Sequence, residues 1–380
     1  MKPKLRFSEF SDEWCETTLG ETTTFKQGIQ VDVDKQFSEP FDNSVRFIRI
    51  VDYTQNTKDI RYISRPANAN YVDEHDVVLV RYGATAGFVG HGIKGVIANN
   101  MFTVTPNSNI NKDFLYTILK QDKIYNKLNS SNGSSAMPAL NFGSVSILKF
   151  SYPSMAEQKK LTNLIELLDK KIELQSKKIE DLKLFKKGLF DKLFDEIDGN
   201  NYLLSDIASF ENGKGHENII DENGNYILIN SKFISTEGNI IKKCSEQLTP
   251  LFKNDITMVM SDLPNGKALA KCYYIEEDNK YSLNQRICKI HTKDNKIINS
   301  KYLFYLLNRN PYYLKFDDGV NQTNLKKDDI LNINLNIPSI DIQDKNSKIL
   351  TTIDNLIKKE LIKLSKLETL KKGLMQNMFV

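Results

Sequence analysis

The chain contains one long segment twice, 185 residues apart. Residues 153–194 read PSMAEQKKLTNLIELLDKKIELQSKKIEDLKLFKKGLFDKLF, and residues 338–379 read PSIDIQDKNSKILTTIDNLIKKELIKLSKLETLKKGLMQNMF. No gap is needed. Thirteen of the 42 positions are identical, among them Pro153/Pro338, Ser154/Ser339, Gln158/Gln343, Asp169/Asp354, Leu182/Leu367, Lys187/Lys372, Gly188/Gly373 and Phe194/Phe379. A repeat of this kind constrains the fold strongly, because one pattern must adopt one structure in two places.

The pattern within the repeat is helical. Apolar residues fall at 165, 168, 172, 179, 182, 189 and 193, and again at 350, 353, 357, 364, 367, 374 and 378. Steps of four and three make a heptad seam. The seam is interrupted at the same two places in both copies, Gln175/Glu360 and Lys186/Lys371. An amphipathic helix with a solvated polar face accounts for either copy alone. Matched interruptions in two copies predict two long helices packed on each other, each of roughly 40 residues and about 60 Å. Pro153 and Pro338 mark their starts, since proline suits a first turn and disfavours helix before it.

The segments ahead of the helices repeat more weakly. Phe25-Lys26-Gln27-Gly28 aligns with Phe210-Glu211-Asn212-Gly213 at an offset of 185. Asp76-Val77-Val78 and Gly87 align with Asp255-Ile256-Thr257 and Gly266 at 179. Asn99 aligns with Asn284 at 185 again, Gly133 with Gly319, and Leu140 with Leu325. The chain therefore divides into a first domain at residues 1–153, a central long helix at 154–195, a second domain at 196–337 and a C-terminal long helix at 338–380. The fold class is α+β, two mixed domains and two long helices packed on each other, with an internal repeat. Short β-rich runs lie at 45–51, 77–82, 225–230, 255–260 and 271–275, and helical runs at 112–128 and 300–308. Polar clusters such as Asn129-Ser130-Ser131-Asn132-Gly133 punctuate them.

Composition excludes several classes. The chain has 380 residues, 40% apolar and 26% charged, which rules out wholesale disorder. The longest aliphatic run, Val77-Val78-Leu79-Val80, is far too short to span a bilayer. The first twenty residues hold no continuous apolar core, so no secretory signal is expected. Four scattered cysteines (Cys15, Cys244, Cys272, Cys288) without a CxxC argue against a disulfide framework or a zinc site and fit a reducing cytosol.

No motif points to catalysis. Residues 83–90, GATAGFVG, do not have the GxGxxG spacing and read as glycines of a tight loop. Gly266-Lys267 is followed by Ala268, so it opens no phosphate loop. Asn310-Pro311-Tyr312-Tyr313 is similar to the Asn/Asp-Pro-Pro-Tyr motif of amino-methyltransferases but lacks the second proline, and reads as a turn with aromatic packing. Glu277-Asp278-Asn279-Lys280 reads as a polar loop. The four histidines (His75, His91, His216, His291) are isolated from one another in sequence and are given structural or surface roles.

At this point the residues carry a likeness. Pro3-Lys4-Leu5-Arg6-Phe7-Ser8-Glu9-Phe10 followed by Trp14, Gln158 just after Pro153-Ser154, the Lys-Lys-Gly-Leu near the end of each helix segment, and the Arg-x-Gly-x-x-x-Gly loop from Arg81 to Gly87 resemble the specificity subunits of type I restriction-modification systems. The resemblance covers the whole chain. It implies two target-recognition domains, each reading half of a split double-stranded DNA site, held apart by the paired helices as an antiparallel coiled coil with pseudo-two-fold symmetry. It implies methyltransferase subunits, two of them, that dock on this chain and carry S-adenosylmethionine. It also implies restriction/translocase subunits that use ATP and magnesium. On this reading the chain is a non-catalytic subunit that binds no cofactor itself. The alternatives are a self-contained methyltransferase or nuclease and a protein-only coiled-coil scaffold.

The candidate DNA-reading residues are those types that bond base edges or phosphates and lie near the aligned glycines. They are Lys26, Gln27, Arg49, Arg81, Tyr82, Asn99 and Asn100 in the first domain, and Lys214, His216, Lys232, Lys267, Asn284, Gln285 and Arg286 in the second. Each also fits a solvated surface side chain. Phe190, Phe194, Leu374, Met375 and Met378, on a wide apolar end of the helix segments, are the candidates for docking partner subunits. The net charge of +4 is an average. Residues 154–195 and 338–380 carry +2 and +3, whereas residues 1–153 and 196–337 carry +1 and −2. Each reading domain therefore needs a basic face offset by an acidic one, and much of the electrostatic hold on DNA is expected from the partners.

Overall fold

The structure, a computed structural model, describes residues 2–55, 57–130, 139–194, 198–264 and 266–380. Its contacts divide the chain into two compact units, Met1–Lys177 with Leu361–Val380, and Lys178–Glu360. The division passes through both long helices, Met155–Phe194 and Ile340–Met378.

In the first unit one sheet runs in the order Thr23–Gln27, Met101–Pro106, Val78–Val80, Val89–Gly90, all antiparallel. A second runs Arg61–Ser64, Ser44–Ile48, Gly95–Ile97, Tyr71–Val72, with its middle pair parallel. Cys15–Thr18 pairs with Lys149–Tyr152 and closes the domain beside the start of the helix. The second unit repeats this order strand by strand. Its first sheet is Ala208–Asn212, Ile287–Thr292, Ile256–Val259, Cys272–Tyr274, and its second is Lys243–Cys244, Tyr226–Ile229, Tyr281–Leu283, Pro250–Leu251. Asn200–Leu203 closes it against Asn334–Ile337.

The aliphatic run at 77–80 becomes a strand buried on both faces, where side chains alternate between two cores. Leu79 joins Trp14, Phe102 and Phe114, while Val78 and Val80 join Phe47, Ile97 and Met101. Ile256 and Met258 face one core of the second unit and Val259 the other. Two regular runs end early. The β-rich run at 45–51 is a strand only to Ile48. Asp52 then accepts from the Arg49 backbone N–H (2.7 Å) and starts the helix Ile50–Thr54. The helical run at 112–128 divides into Lys112–Leu119 and Asp122–Ser130. The cluster at 129–133 extends into residues 131–138, outside the described residues, as does the pairing of Gly133 with Gly319.

Two alignments shift once the ladders are compared. Ala98 N–H donates to Ile48 O in the first unit, and Asn284 N–H to Ile229 O in the second. Asn284 therefore corresponds to Ala98, not Asn99. Gly87 N–H donates to Val80 O, and Ala270 N–H to Val259 O. Gly87 thus corresponds to Ala270, not Gly266, and both have positive φ (86° and 54°). The loop after the central strand is longer in the second unit, which a gapless alignment misplaces. Gly28 and Gly213 do correspond. A Cβ on Gly28 would lie 2.2 Å from Ala98 O, and one on Gly213 2.0 Å from Asn284 O, so only glycine lets these backbones approach.

The predicted seam is the buried stripe of both long helices: Ile165, Leu168, Ile179, Leu350, Ile353, Ile357 and Met378 are buried, and the remaining seam positions half-buried. The pairing is antiparallel in each unit. In the first, Lys371 pairs with Asp169, while Leu161 and Ile165 share a core with Met378 and Phe379. In the second, Lys178 meets Glu360 (3.1 Å), Lys186 meets Asp354 (2.5 Å), and Asn346 Nδ2 donates to Leu193 O (3.1 Å). The matched interruptions are thus used. Lys186 and Lys371 each pair with the aspartate that the repeat preserves, and buried Glu360 takes Lys178. A polar residue in a seam specifies register.

The preserved glutamines have one task in both units. Gln158 Oε1 accepts from Asn111 N–H (2.8 Å), and its Nε2 donates to Asn109 O (2.8 Å) and Pro153 O (2.9 Å). Gln343 Oε1 accepts from Asn299 N–H (2.8 Å), and its Nε2 donates to Ile297 O (2.9 Å) and Pro338 O (2.9 Å). Both side chains are fully buried. Each fastens the first turn of a long helix to the capped start of a domain helix, Lys112–Leu119 or Ser300–Leu307. The opening segment is tied to the same turn. Arg6 forms a bidentate pair with buried Glu157 (2.8 and 2.7 Å), Lys160 lies over the Phe7 ring (4.4 Å) and pairs with Glu9, and Trp14 is buried against Phe114.

Candidate nucleic-acid interface

In the first unit the ladder carries five candidates to one sheet end. Gln27 closes its strand opposite Phe102, and Arg81 follows Val80 opposite Met101. Arg81 N–H donates to Asn100 O (2.8 Å), Arg81 Nη1 to Gln27 Oε1 (2.8 Å), and Gln27 Nε2 to Asn99 O (2.7 Å). The Arg81 guanidinium also reaches Leu140 O (3.2 Å) and stands 4.9 Å from the Tyr82 ring and 5.4 Å from Phe142. Tyr82 is exposed. This arginine is held by two bonds and two rings, an arrangement that presets a guanidinium for planar, bidentate contacts.

Lys26 and Arg49 do not join this group. Lys26 follows the strand's alternation to the other face, where its Nζ donates to Ala69 O (2.8 Å). Arg49 bonds Asp52 (3.2 Å) and Asp59 (3.1 Å), inside a network that also holds Arg46 and Arg61.

In the second unit Lys214, Gln285 and Arg286 are exposed around Gly213. Lys214 bridges to Asn284, Gln285 Nε2 bonds Glu217, and Arg286 holds φ at 67° while its carbonyl accepts from Met260 (3.0 Å). His216 is a correction: it is buried, with Nδ1 on Lys214 O and Nε2 on Ser282 Oγ, both at 2.7 Å. Its ring braces the loop and offers no nitrogen to a ligand. Lys232 lies exposed on the short helix Ser231–Ser235. Lys267 is exposed in the longer loop, which the Asp262 carboxylate ties through the N–H groups of Ala268 (2.7 Å) and Leu269 (3.1 Å). Asn100 and Asn284 each leave a buried amide oxygen without a hydrogen-bond partner among the described residues.

The two ends are not equivalent in chemistry. Met260 takes the place of Arg81, Asn212 that of Gln27 and Ser261 that of Tyr82, by the matching ladder bonds at Leu140 and Leu325. Phe142, which flanks Arg81, was not legible as a site residue, because it lies 61 positions away and no local pattern marks it.

The apolar helix ends also need correction. Phe194 stacks on buried Tyr302 (4.9 Å, 20°), and Met378 is buried with Phe379 in the first unit's core, so both serve their own units. Phe190 stacks on Phe194 (4.3 Å), and Leu374 and Met375 pack on the first core while remaining half-exposed. Met375 borders a cavity of about 600 Å³ with Ile165, Ile172, Lys120 and Lys371. Phe185 and Leu370, equivalent in the repeat, are 60% and 50% exposed. The histidines are not all isolated: His75 and His91 meet at Asp113 (3.0 and 3.2 Å).

Comparison with known proteins agrees with this architecture. The sequence profile of the type I restriction modification DNA specificity domain matches residues 12–184 and again residues 197–370. The MjaVIII type I restriction enzyme specificity subunit of Methanocaldococcus jannaschii is 24% identical over 335 residues, 80% of this chain and 78% of that protein. The HindI specificity subunit of Haemophilus influenzae is 30% identical over 122 residues, 30% of this chain and 27% of that protein. The crystal structure of a type I restriction-modification S subunit from M. genitalium matches with a TM-score of 0.69 at 17% identity, over 100% of this chain and 99% of that one. A chain from a structural study of type I R-M complex assembly matches with a TM-score of 0.56 at 13% identity, over 95% and 96%. The chain belongs to the type I restriction-modification specificity family and carries the family's domain twice.

Proposed function

We propose that this chain is the sequence-reading, non-catalytic subunit of a cytosolic type I restriction-modification complex and recognises an asymmetric bipartite site in double-stranded DNA. The observation that carries the reading is the doubled family domain with unlike groups at equivalent places, above all Arg81 against Met260. Two readers of one fold and different surface chemistry suit two different half-sites. Arg81, Gln27, Tyr82, Asn99 and Asn100 are the leading base- or phosphate-contacting candidates of the first domain. Lys214, Gln285, Arg286, Lys232 and Lys267 are those of the second. Methyltransferase subunits, two in number, dock on the long helices, with Phe190, Leu374, Met375 and the exposed pair Phe185/Leu370 as contacts. They bring S-adenosylmethionine, and restriction/translocase subunits bring the ATP and magnesium chemistry. The domain boundaries at 153/154, 195/196 and 337/338 separate readers from spacer.

The test is methylation mapping of the host genome with and without this gene, followed by gel shifts of the assembled complex on the mapped site and a scrambled one. Loss of one bipartite adenine-methylation motif and sequence-selective binding at moderate salt are expected. Binding indifferent to sequence, or methyl transfer by this chain alone, overturns the proposal.

A further inference from the structure

His75, His91 and Asp113 come from three separate segments of the first unit. They are the turn before Val78–Val80, the residue after Val89–Gly90, and the first turn of Lys112–Leu119. Asp113 Oδ1 stands 3.0 Å from His75 Nδ1 and 3.2 Å from His91 Nε2, and one donor atom from each residue lies within 4.8 Å of both others. The segments are braced independently of this contact. Gly92 N–H donates to Glu74 O (3.0 Å), joining the turn of His75 to that of His91. His75 N–H donates to Asp73 Oδ1 (2.8 Å), and the His91 ring stacks on Tyr116 (4.3 Å, 18°). The neighbouring cation, Lys112, is already paired with Asp73 (3.2 Å) and Asp76 (2.6 Å).

We propose that His75, His91 and Asp113 form a binding site for a divalent transition-metal ion, with Zn²⁺ the best match. Two imidazole nitrogens and one carboxylate oxygen are the donor set that such ions take, whereas Mg²⁺ and Ca²⁺ favour oxygen alone. Donors about 2.0–2.2 Å from a tetrahedral ion stand about 3.3–3.6 Å apart, close to the spacing already present on both sides of Asp113. The ion replaces the hydrogen-bond protons between the histidines and Asp113. His75 is exposed, so the remaining coordination position opens to solvent and holds water. The bound ion clips the two sheet turns to the helix.

The experiment uses the untagged full chain with Cys15→Ser, since Cys15 is the exposed cysteine and a competing ligand. The chain is stripped with chelator and titrated with Co²⁺, read by its visible absorption, and then with Zn²⁺ in competition. One ion per chain, displaced by Zn²⁺, and a raised melting temperature with Zn²⁺ are expected. H75A and H91A each weaken binding by at least about tenfold. H75A removes an exposed side chain, so its result stands even where H91A fails to fold. H291A, which removes the ring beside Asp255, leaves binding unchanged. No saturable binding, or binding that survives H75A unchanged, overturns the proposal.

Discussion

Single amides and guanidinium groups decide much of how this chain is held. Truncating Gln158 would leave one buried N–H and two carbonyls without partners, at about 1–3 kcal/mol for each buried group so orphaned. Q158A is expected to lower the stability of the first unit by about 3 kcal/mol or more, read as a downshifted melting transition. Q343A should do the same to the second, because its three bonds are the same. A loss below about 0.5 kcal/mol in either would show that the clamp contributes little. Arg81 belongs to the proposed reading face rather than to stability. R81A should weaken the assembled complex on its mapped site by about 10- to 100-fold and leave scrambled DNA nearly unaffected, as gel shifts would measure. The glutamines and close-approach glycines were legible from the repeat alone, since a gapless alignment puts identical residues together. Phe142 and the meeting of His75 with His91 were not, because tertiary folding brings them close and the sequence carries no periodic trace of it.

Among the elements, the long helices were the most readable and the strands the least. A heptad seam of seven matched positions has one physical explanation, and the buried stripe follows it. The domain strands have only two to six residues, so their ends are set by caps and crossings. The alignments of Asn99 with Asn284 and of Gly87 with Gly266, at offsets of 185 and 179, failed because loops change length between ladders that do not. Both helices contain a glycine near their ends, Gly188 and Gly373, where an added Cβ would meet nothing within 4 Å. Glycine inside a helix costs roughly 1 kcal/mol relative to alanine. G188A and G373A should therefore each raise stability by about 0.5–1 kcal/mol, read by thermal melts. If partner subunits approach these glycines, the same variants weaken methyltransferase binding; unchanged binding would exclude close contact there.

For the molecule as a whole, the decisive fact is that each long helix contributes residues to both compact units. On the proposed function, inserting one heptad into both helices, after Lys177 and after Glu360, lengthens the spacer by about 10.5 Å, or about three base pairs of B-DNA. Methylation mapping should then find the same two half-sites with a gap about three base pairs longer. An unchanged gap would show that the helices do not set it. The charge distribution was legible only in part. Segment counts put the basic excess in the helices, yet Arg46, Arg49 and Arg61 are held inside a network with Asp52 and Asp59. Counting charges cannot tell a neutralised arginine from one offered to a ligand.

The glutamine clamp has a consequence for how such a chain changes over generations. It joins domain to helix through three main-chain groups and one amide, in the same way in both halves. None of the side chains proposed to read DNA takes part. Those loops can therefore be rewritten, lengthened or exchanged without renegotiating the joint. On the proposed function, new specificities become accessible by mutation of the surface alone, while the mounting is inherited intact.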